Sequence, residues 1–167
     1  GAMAVDHDGK GIYSTGLEHG DCMNLGNFTK KTPNLDFFQI HEHDSAEYGF
    51  EVRDPATGEI KWGKFTGRDT TRGLCAKIDP RYEGNQCWVM DDGIYTIDGE
   101  LINEKGPESI DFAIWWDGDL IRELLDHEFD DEKAVGYPKI YKWDYENNKL
   151  VTILDPKGTL SNNWKKG

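Results

Sequence analysis

The chain has 167 residues, 31% of them charged, and a formal net charge of −13. That length allows one domain with a real core, and the negative balance argues against nucleic acid as a partner because phosphates would be repelled. No apolar run reaches the length of a membrane span and no signal peptide is evident, so no membrane partner is expected.

Residues 1–3, Gly1-Ala2-Met3, resemble the scar left when an expression tag is cleaved, and residues 4–167 are read as a single domain. The stretch from 4 to 21 is rich in loops, with a turn at Asp6-His7-Asp8-Gly9 and a short strand at Gly11-Ile12-Tyr13-Ser14-Thr15. A four-strand unit follows over roughly 22–66. It runs through Cys22 to Asn27, then Phe37 to His41, and ends in the hairpin Gly49-Phe50-Glu51-Val52-Arg53-Asp54, Pro55 to Gly58, Glu59-Ile60-Lys61-Trp62. A second unit, roughly 74–105, contains Leu74 to Asp79, Gln86 to Met90, and the hairpin Ile94-Tyr95-Thr96-Ile97-Asp98, Gly99, Glu100-Leu101-Ile102. The third, roughly 111–155, contains Phe112 to Asp117, a segment near Arg122 to His127, and the hairpin Ile140-Tyr141-Lys142-Trp143-Asp144, Tyr145 to Asn148, Leu150 to Ile153.

The anchoring aspartates Asp54, Asp98 and Asp144 lie 44 and 46 residues apart, the length one four-stranded propeller blade occupies. The predicted fold class is therefore all-β, about three four-stranded antiparallel blades of a partial β-propeller. Residues Asp119 to Asp126 carry helical spacing at Leu120, Leu124 and Leu125, but their place in the repeat argues for strand or turn. Cys75 and Cys87 read as small core residues, since three cysteines do not make a disulfide framework. Trp62, Trp88, Trp115, Trp116 and Trp143 sit in strand-like runs, where most are expected to pack between blades. Propellers close with about four to eight blades, so a three-blade arc would leave two apolar faces open. The expected solutions are a longer parent ring, which is favoured, self-association, or a different blade count.

Three constellations stand out for chemistry. Glu18-His19-Gly20-Asp21 and His41-Glu42-His43-Asp44 fall at the edges of neighbouring segments, where a His and a carboxylate from each could meet on one ion. Strand-end capping is the plainer reading, and the residues alone do not choose a metal. Asp-rich turns at Asp6, Asp69, Asp79, Asp91-Asp92 and Asp117-Gly118-Asp119 are either Asx turns or include a structural calcium site. The tail Ser161-Asn162-Asn163-Trp164-Lys165-Lys166 suits an acidic sugar, with amides for hydroxyls, an indole for the ring and ammoniums for a carboxylate. A disordered chain end is the favoured reading from the residues alone, since chain ends fray.

A set of ordered motifs adds a resemblance. Val5-Asp6-His7-Asp8-Gly9-Lys10-Gly11, Ser14-Thr15-Gly16-Leu17, His19-Gly20-Asp21, Ile40-His41-Glu42, Arg72-Gly73, Ile78-Asp79-Pro80-Arg81, Ala113 to Leu120, Lys142-Trp143-Asp144-Tyr145 and Ser161-Asn162-Asn163 appear in sequence. Together they resemble the middle of bacterial rhamnogalacturonan lyases of polysaccharide lyase family 11, over essentially the whole chain. The resemblance implies about a quarter of a larger propeller, calcium as cofactor, and secretion from a bacterium. It also implies β-eliminative cleavage of the rhamnose–galacturonate bond in the pectic polysaccharide rhamnogalacturonan I. By the same resemblance, His19, Asp21, His41 and Glu42 surround an ion, Asn162, Asn163 and Lys166 contact substrate, and Lys166 is the candidate base. The chain departs from the family at Trp164-Lys165 in place of Gly-Thr, at Asn24 in place of a second His, and at Gly26 to Lys30 in place of a Gly-Asp-x-Asp-Pro stretch. The segment alone is expected to be inactive. The rival reading is a non-catalytic carbohydrate-binding or assembly module derived from the propeller, closing with copies of itself or with another chain.

Overall fold

The computed structural model describes residues 3–161. These form fourteen strands and no helix, arranged as one two-stranded and three four-stranded antiparallel sheets. Strands β1 (Met3–Val5) and β2 (Gly11–Ser14) make a hairpin closed by Asp6, whose Oδ1 accepts from the amides of Asp8 at 3.0 Å and Lys10 at 2.8 Å. The hairpin leans on the first large sheet through Tyr13, whose hydroxyl donates to the Pro55 carbonyl at 3.0 Å.

The first large sheet contains β3 (Met23–Gly26), β4 (Asp36–Ile40), β5 (Phe50–Arg53) and β6 (Ile60–Lys64), paired in chain order. The second contains β7 (Gly73–Ala76), β8 (Gln86–Val89), β9 (Ile94–Thr96) and β10 (Leu101–Asn103). The third contains β11 (Phe112–Ile114), β12 (Glu123–Asp130), β13 (Val135–Asp144) and β14 (Lys149–Leu154). All three are simple meanders, and their first strands are neighbours in space, β3 beside β7 and β7 beside β11.

The repeated hairpins bend for a shared reason. Each turn carries one residue in the left-handed region, Gly58 (φ 79°), Gly99 (φ 92°) or Asn148 (φ 51°), a conformation that glycine and asparagine tolerate best. Asp54 and Asp144 accept turn amides, from Ala56 at 2.7 Å and from Asn147 at 3.1 Å. Asp98 does not share that role. Its turn is tighter, Thr96 supplies the Oγ1 that accepts from the Glu100 amide at 3.1 Å, and Asp98 pairs outward with Lys31 at 2.6 Å.

Strand alternation divides the middle sheet between two cores. Cys75, Cys87, Val89 and Tyr95 face Phe38, Ile40, Phe50 and Val52 of the first sheet. Leu74, Ala76, Trp88 and Ile94 face Leu124 and Trp143 of the third. Indole N–H groups stitch the layers: Trp62 Nε1 donates to the Ile97 carbonyl at 2.7 Å and Trp88 Nε1 to that of Ser109 at 2.9 Å. Trp62, Trp88 and Trp143 thus pack in or against the cores. Trp115 and Trp116 do not; they are 59% and 52% exposed, because both follow β11 into a loop. The segment from Asp119 resolves into loop and then β12, so Leu120 lies exposed while Leu124 is fully buried. Cys75 and Cys87 are buried free thiols on directly paired positions, and burial pushes the Cys75 thiol well up.

Candidate functional site

His19 and Asp21 precede β3, and Glu42 follows β4, so antiparallel pairing of those strands returns the three to the same end of the first sheet. The approach is close. A Cβ on Gly20 would stand 1.8 Å from the Ile40 carbonyl oxygen, so only glycine lets this segment lie against the end of β4. The Glu42 amide donates to the His19 carbonyl at 3.0 Å, and the Ile40 amide to that of Cys22 at 3.1 Å. Pinned in this way, His19 Nδ1 sits 2.5 Å from Glu42 Oε2, and one donor atom each from His19, Asp21 and Glu42 falls within 4.8 Å of the others. One imidazole nitrogen and two carboxylates in a solvent-facing cluster suit a divalent cation that keeps part of its water.

His41 is placed elsewhere. It is fully buried, and successive side chains leaving a strand alternate, so His41 turns inward where Glu42 turns out. Its Nε2 lies 3.5 Å from Glu51 Oε1. Glu51 also accepts from Arg53 Nη1, and Arg53 Nη2 donates to Gln39 Oε1 at 2.5 Å while its guanidinium covers the Phe37 ring at 4.3 Å. The group is a buried ionic network on β4 and β5. Asn162, Asn163 and Lys166, expected to contact substrate with Lys166 as base, lie outside the described residues.

The Asp-rich turns have partners from the chain itself. Asp69 and Asp79 accept from the amides of Thr71 at 2.8 Å and Arg81 at 3.0 Å. Asp92 is held below the usual carboxylate range: burial pushes it up, but Lys64, the Gly93 amide and the Tyr95 hydroxyl outweigh that push. Asp117, Asp119 and Glu123 converge as a metal site would, yet Lys142 Nζ stands among them at 2.6, 3.1 and 3.2 Å. These contacts raise the Lys142 pKa, led by the hydrogen bond to Asp117. A further group joins Asp111, Asp126 and His127, with Arg72 Nη1 at 3.7 Å from Asp111. Its aspartate Asp126 accepts from the amides of Ile110 at 3.0 Å and His127 at 2.7 Å.

At the opposite end of the sheets a cleft of about 630 Å³ opens between residues 26–30, 77–85 and 115–122. Sequence reading does not single it out, because its walls come from three separate loops. The available signal is that these loops occupy the same place in each repeat, after the first strand of each sheet.

Comparison with known proteins accords with this architecture. The chain is 52% identical to the rhamnogalacturonan exolyase YesX of Bacillus subtilis (strain 168), over 100% of its own length and 28% of that protein. It is 46% identical to the rhamnogalacturonan endolyase YesW of the same organism, over 99% of its own length and 25% of that protein. It therefore spans about a quarter of the length of the relatives it matches. The crystal structure of the exotype lyase YesX superposes with a TM-score of 0.92, at 52% identity, over 97% of this chain and 28% of the other. The family model for the C-terminal domain of rhamnogalacturonan lyase family 11 matches residues 1–167, and the chain belongs to that family.

Proposed function

We propose that this chain forms part of a calcium-dependent lyase that cleaves the rhamnose–galacturonate bond of rhamnogalacturonan I by β-elimination, outside the bacterial cell. In this reading its three four-stranded sheets are consecutive blades of a β-propeller, which the neighbouring first strands and face-to-face cores support. The observation that carries the proposal is the convergence of His19, Asp21 and Glu42 within 4.8 Å, in a chain of this family.

Calcium bound there would withdraw charge from the galacturonate carboxylate and so ease loss of the adjacent C5 proton. The chain's own part is to hold the donors ready. The Glu42–His19 backbone bond and the close packing of Gly20 fix the two segments, so little freedom remains to be lost on binding. The proton acceptor proposed from sequence is Lys166, and Asn162 and Asn163 are proposed to bind sugar hydroxyls.

The test is the ultraviolet absorbance of unsaturated uronate when the complete polypeptide is mixed with rhamnogalacturonan. Absorbance is expected to rise with calcium and stop with chelator, and Glu42→Gln is expected to raise the calcium requirement roughly tenfold or more. Polysaccharide binding with no calcium-dependent absorbance would instead identify a non-catalytic carbohydrate-binding module.

A further inference from the structure

The geometry points to a second recognition site, a cleft for a short acidic oligosaccharide at the end of the sheets opposite the His19–Asp21–Glu42 cluster. The two places are separated by the strands themselves. The cluster adjoins the start of β3 and the end of β4, whereas the cleft adjoins Gly26, at the other end of β3. The cleft is assembled from the loop that follows the first strand in each of the three large sheets. Its volume of about 630 Å³ lies inside the range of about 300–1,000 Å³ typical of small-ligand sites.

Its charge runs against that of the molecule. In a chain with net charge −13, the lining carries Lys30, Lys77 and Arg122 and neither Asp nor Glu. The Arg122 side chain is preset: Nε donates to the Ile114 carbonyl at 3.0 Å, Nη2 donates to that of Ala113, and the guanidinium lies 4.5 Å from the centre of the Trp115 ring. Burial lowers the pKa of both Arg122 and Lys77, with Glu123 opposing it at Arg122, and Asp79 and Glu83 at Lys77. Partly desolvated cations of this kind gain from a bound anion. Trp115, more than half exposed, offers ring surface to the apolar face of a sugar, and Asn85 adds a side-chain amide for hydroxyls. Cations, an aromatic plane and an amide in one cleft match a uronate-bearing oligosaccharide better than a bare inorganic anion. The choice of a sugar rests on the proposed lyase function.

The experiment is calorimetric titration of the complete polypeptide with a galacturonate tetramer in excess EDTA, so that the metal cluster cannot contribute. One tetramer is expected to bind, about tenfold more weakly after Trp115→Ala and after Lys30→Glu, and more weakly as salt rises. A carboxyl-reduced tetramer is expected to lose most of the affinity. Lys30 is exposed, so Lys30→Glu tests charge without touching a core, and an unchanged melting curve confirms it. Absence of binding in EDTA, equal binding by both variants, or equal binding of the reduced tetramer would each overturn the inference. The lyase reading fails separately: EDTA-resistant binding without eliminative cleavage keeps the cleft and removes the lyase, and cleavage without that binding does the reverse.

Discussion

The second and third large sheets are the same four-strand meander, yet they are buried to different degrees. Every residue of β7, β8 and β9 is buried. In the third sheet Phe112 is 60% exposed and Val151 and Ile153 are each 40% exposed. The cause is neighbours, not composition. In β7, β8 and β9 both sets of alternating side chains meet apolar partners, from the first sheet and from the third, whereas the outer strand β10 is open, with Leu101 48% exposed. The third has a partner on one face, where Leu124, Trp143 and Leu150 pack, while the exposed Phe112, Val151 and Ile153 lie on the other. Exposed apolar side chains of that kind favour cover by another layer.

Four substitutions would break or sharpen the contrast. The largest effect is expected at Trp88, where Trp88→Ala empties a fully buried site between the second and third sheets and should cost about 3–5 kcal/mol in urea unfolding. The same change at Trp116, 52% exposed in the loop after β11, should cost within about 0.5 kcal/mol; equal losses would show that Trp88 is no better packed than a loop residue. Next comes the clamp between the first two sheets, where Lys64 Nζ lies 2.7 and 2.9 Å from the Asp92 carboxylate and 2.8 Å from the Tyr95 hydroxyl. Asp92→Asn should lower stability at neutral pH by about 1 kcal/mol, allowing for the partial exposure of Lys64. Because the folded Asp92 pKa is depressed, this stabilisation is complete above the ordinary value of 3.8 and is lost as pH falls through the lower folded value. The variant's acid-unfolding curve should accordingly be flatter there, and an unaltered curve would remove the clamp from the account. The smallest effect is expected for Val151→Thr, within about 0.5 kcal/mol in the 167-residue chain. In the complete polypeptide a loss above about 1 kcal/mol would show that a further layer covers this face.

The strands of the three meanders were legible in the sequence, because alternating apolar residues bounded by Asp, Gly and Asn turns are a local signal. A meeting of the His19–Asp21 and His41–Glu42 stretches was one of two readings open in the sequence, beside strand-end capping, and the structure brings His19, Asp21 and Glu42 within reach of one another. The side on which each residue emerges was not legible there. His41 and Glu42 are adjacent and both polar, and their separation into a buried network and an exposed cluster depends on the register of β4 against β5, which also brings in Glu51, Arg53 and Gln39. The exposure of Trp115 and Trp116 depends likewise on where β11 stops. Long-range partners were the least visible. Lys142 reaches Asp117 across 25 positions, and Arg122 meets Lys30 and Lys77 at a cleft only when three loops have been brought together.

The position of Lys142 has a consequence for how the molecule answers its surroundings. An ammonium among Asp117, Asp119 and Glu123 is a counter-ion tethered to the same chain, present at fixed stoichiometry whatever the medium contains. The loop it steadies carries Trp115 and Arg122, so one wall of the cleft keeps its shape in a calcium-poor medium. The proposed calcium site at His19, Asp21 and Glu42 has no such tethered cation among the described residues, so its occupancy would follow the supply from outside. With calcium bound as proposed, the two ends of the sheets would respond differently to a drop in its free concentration, one staying set while the other would empty.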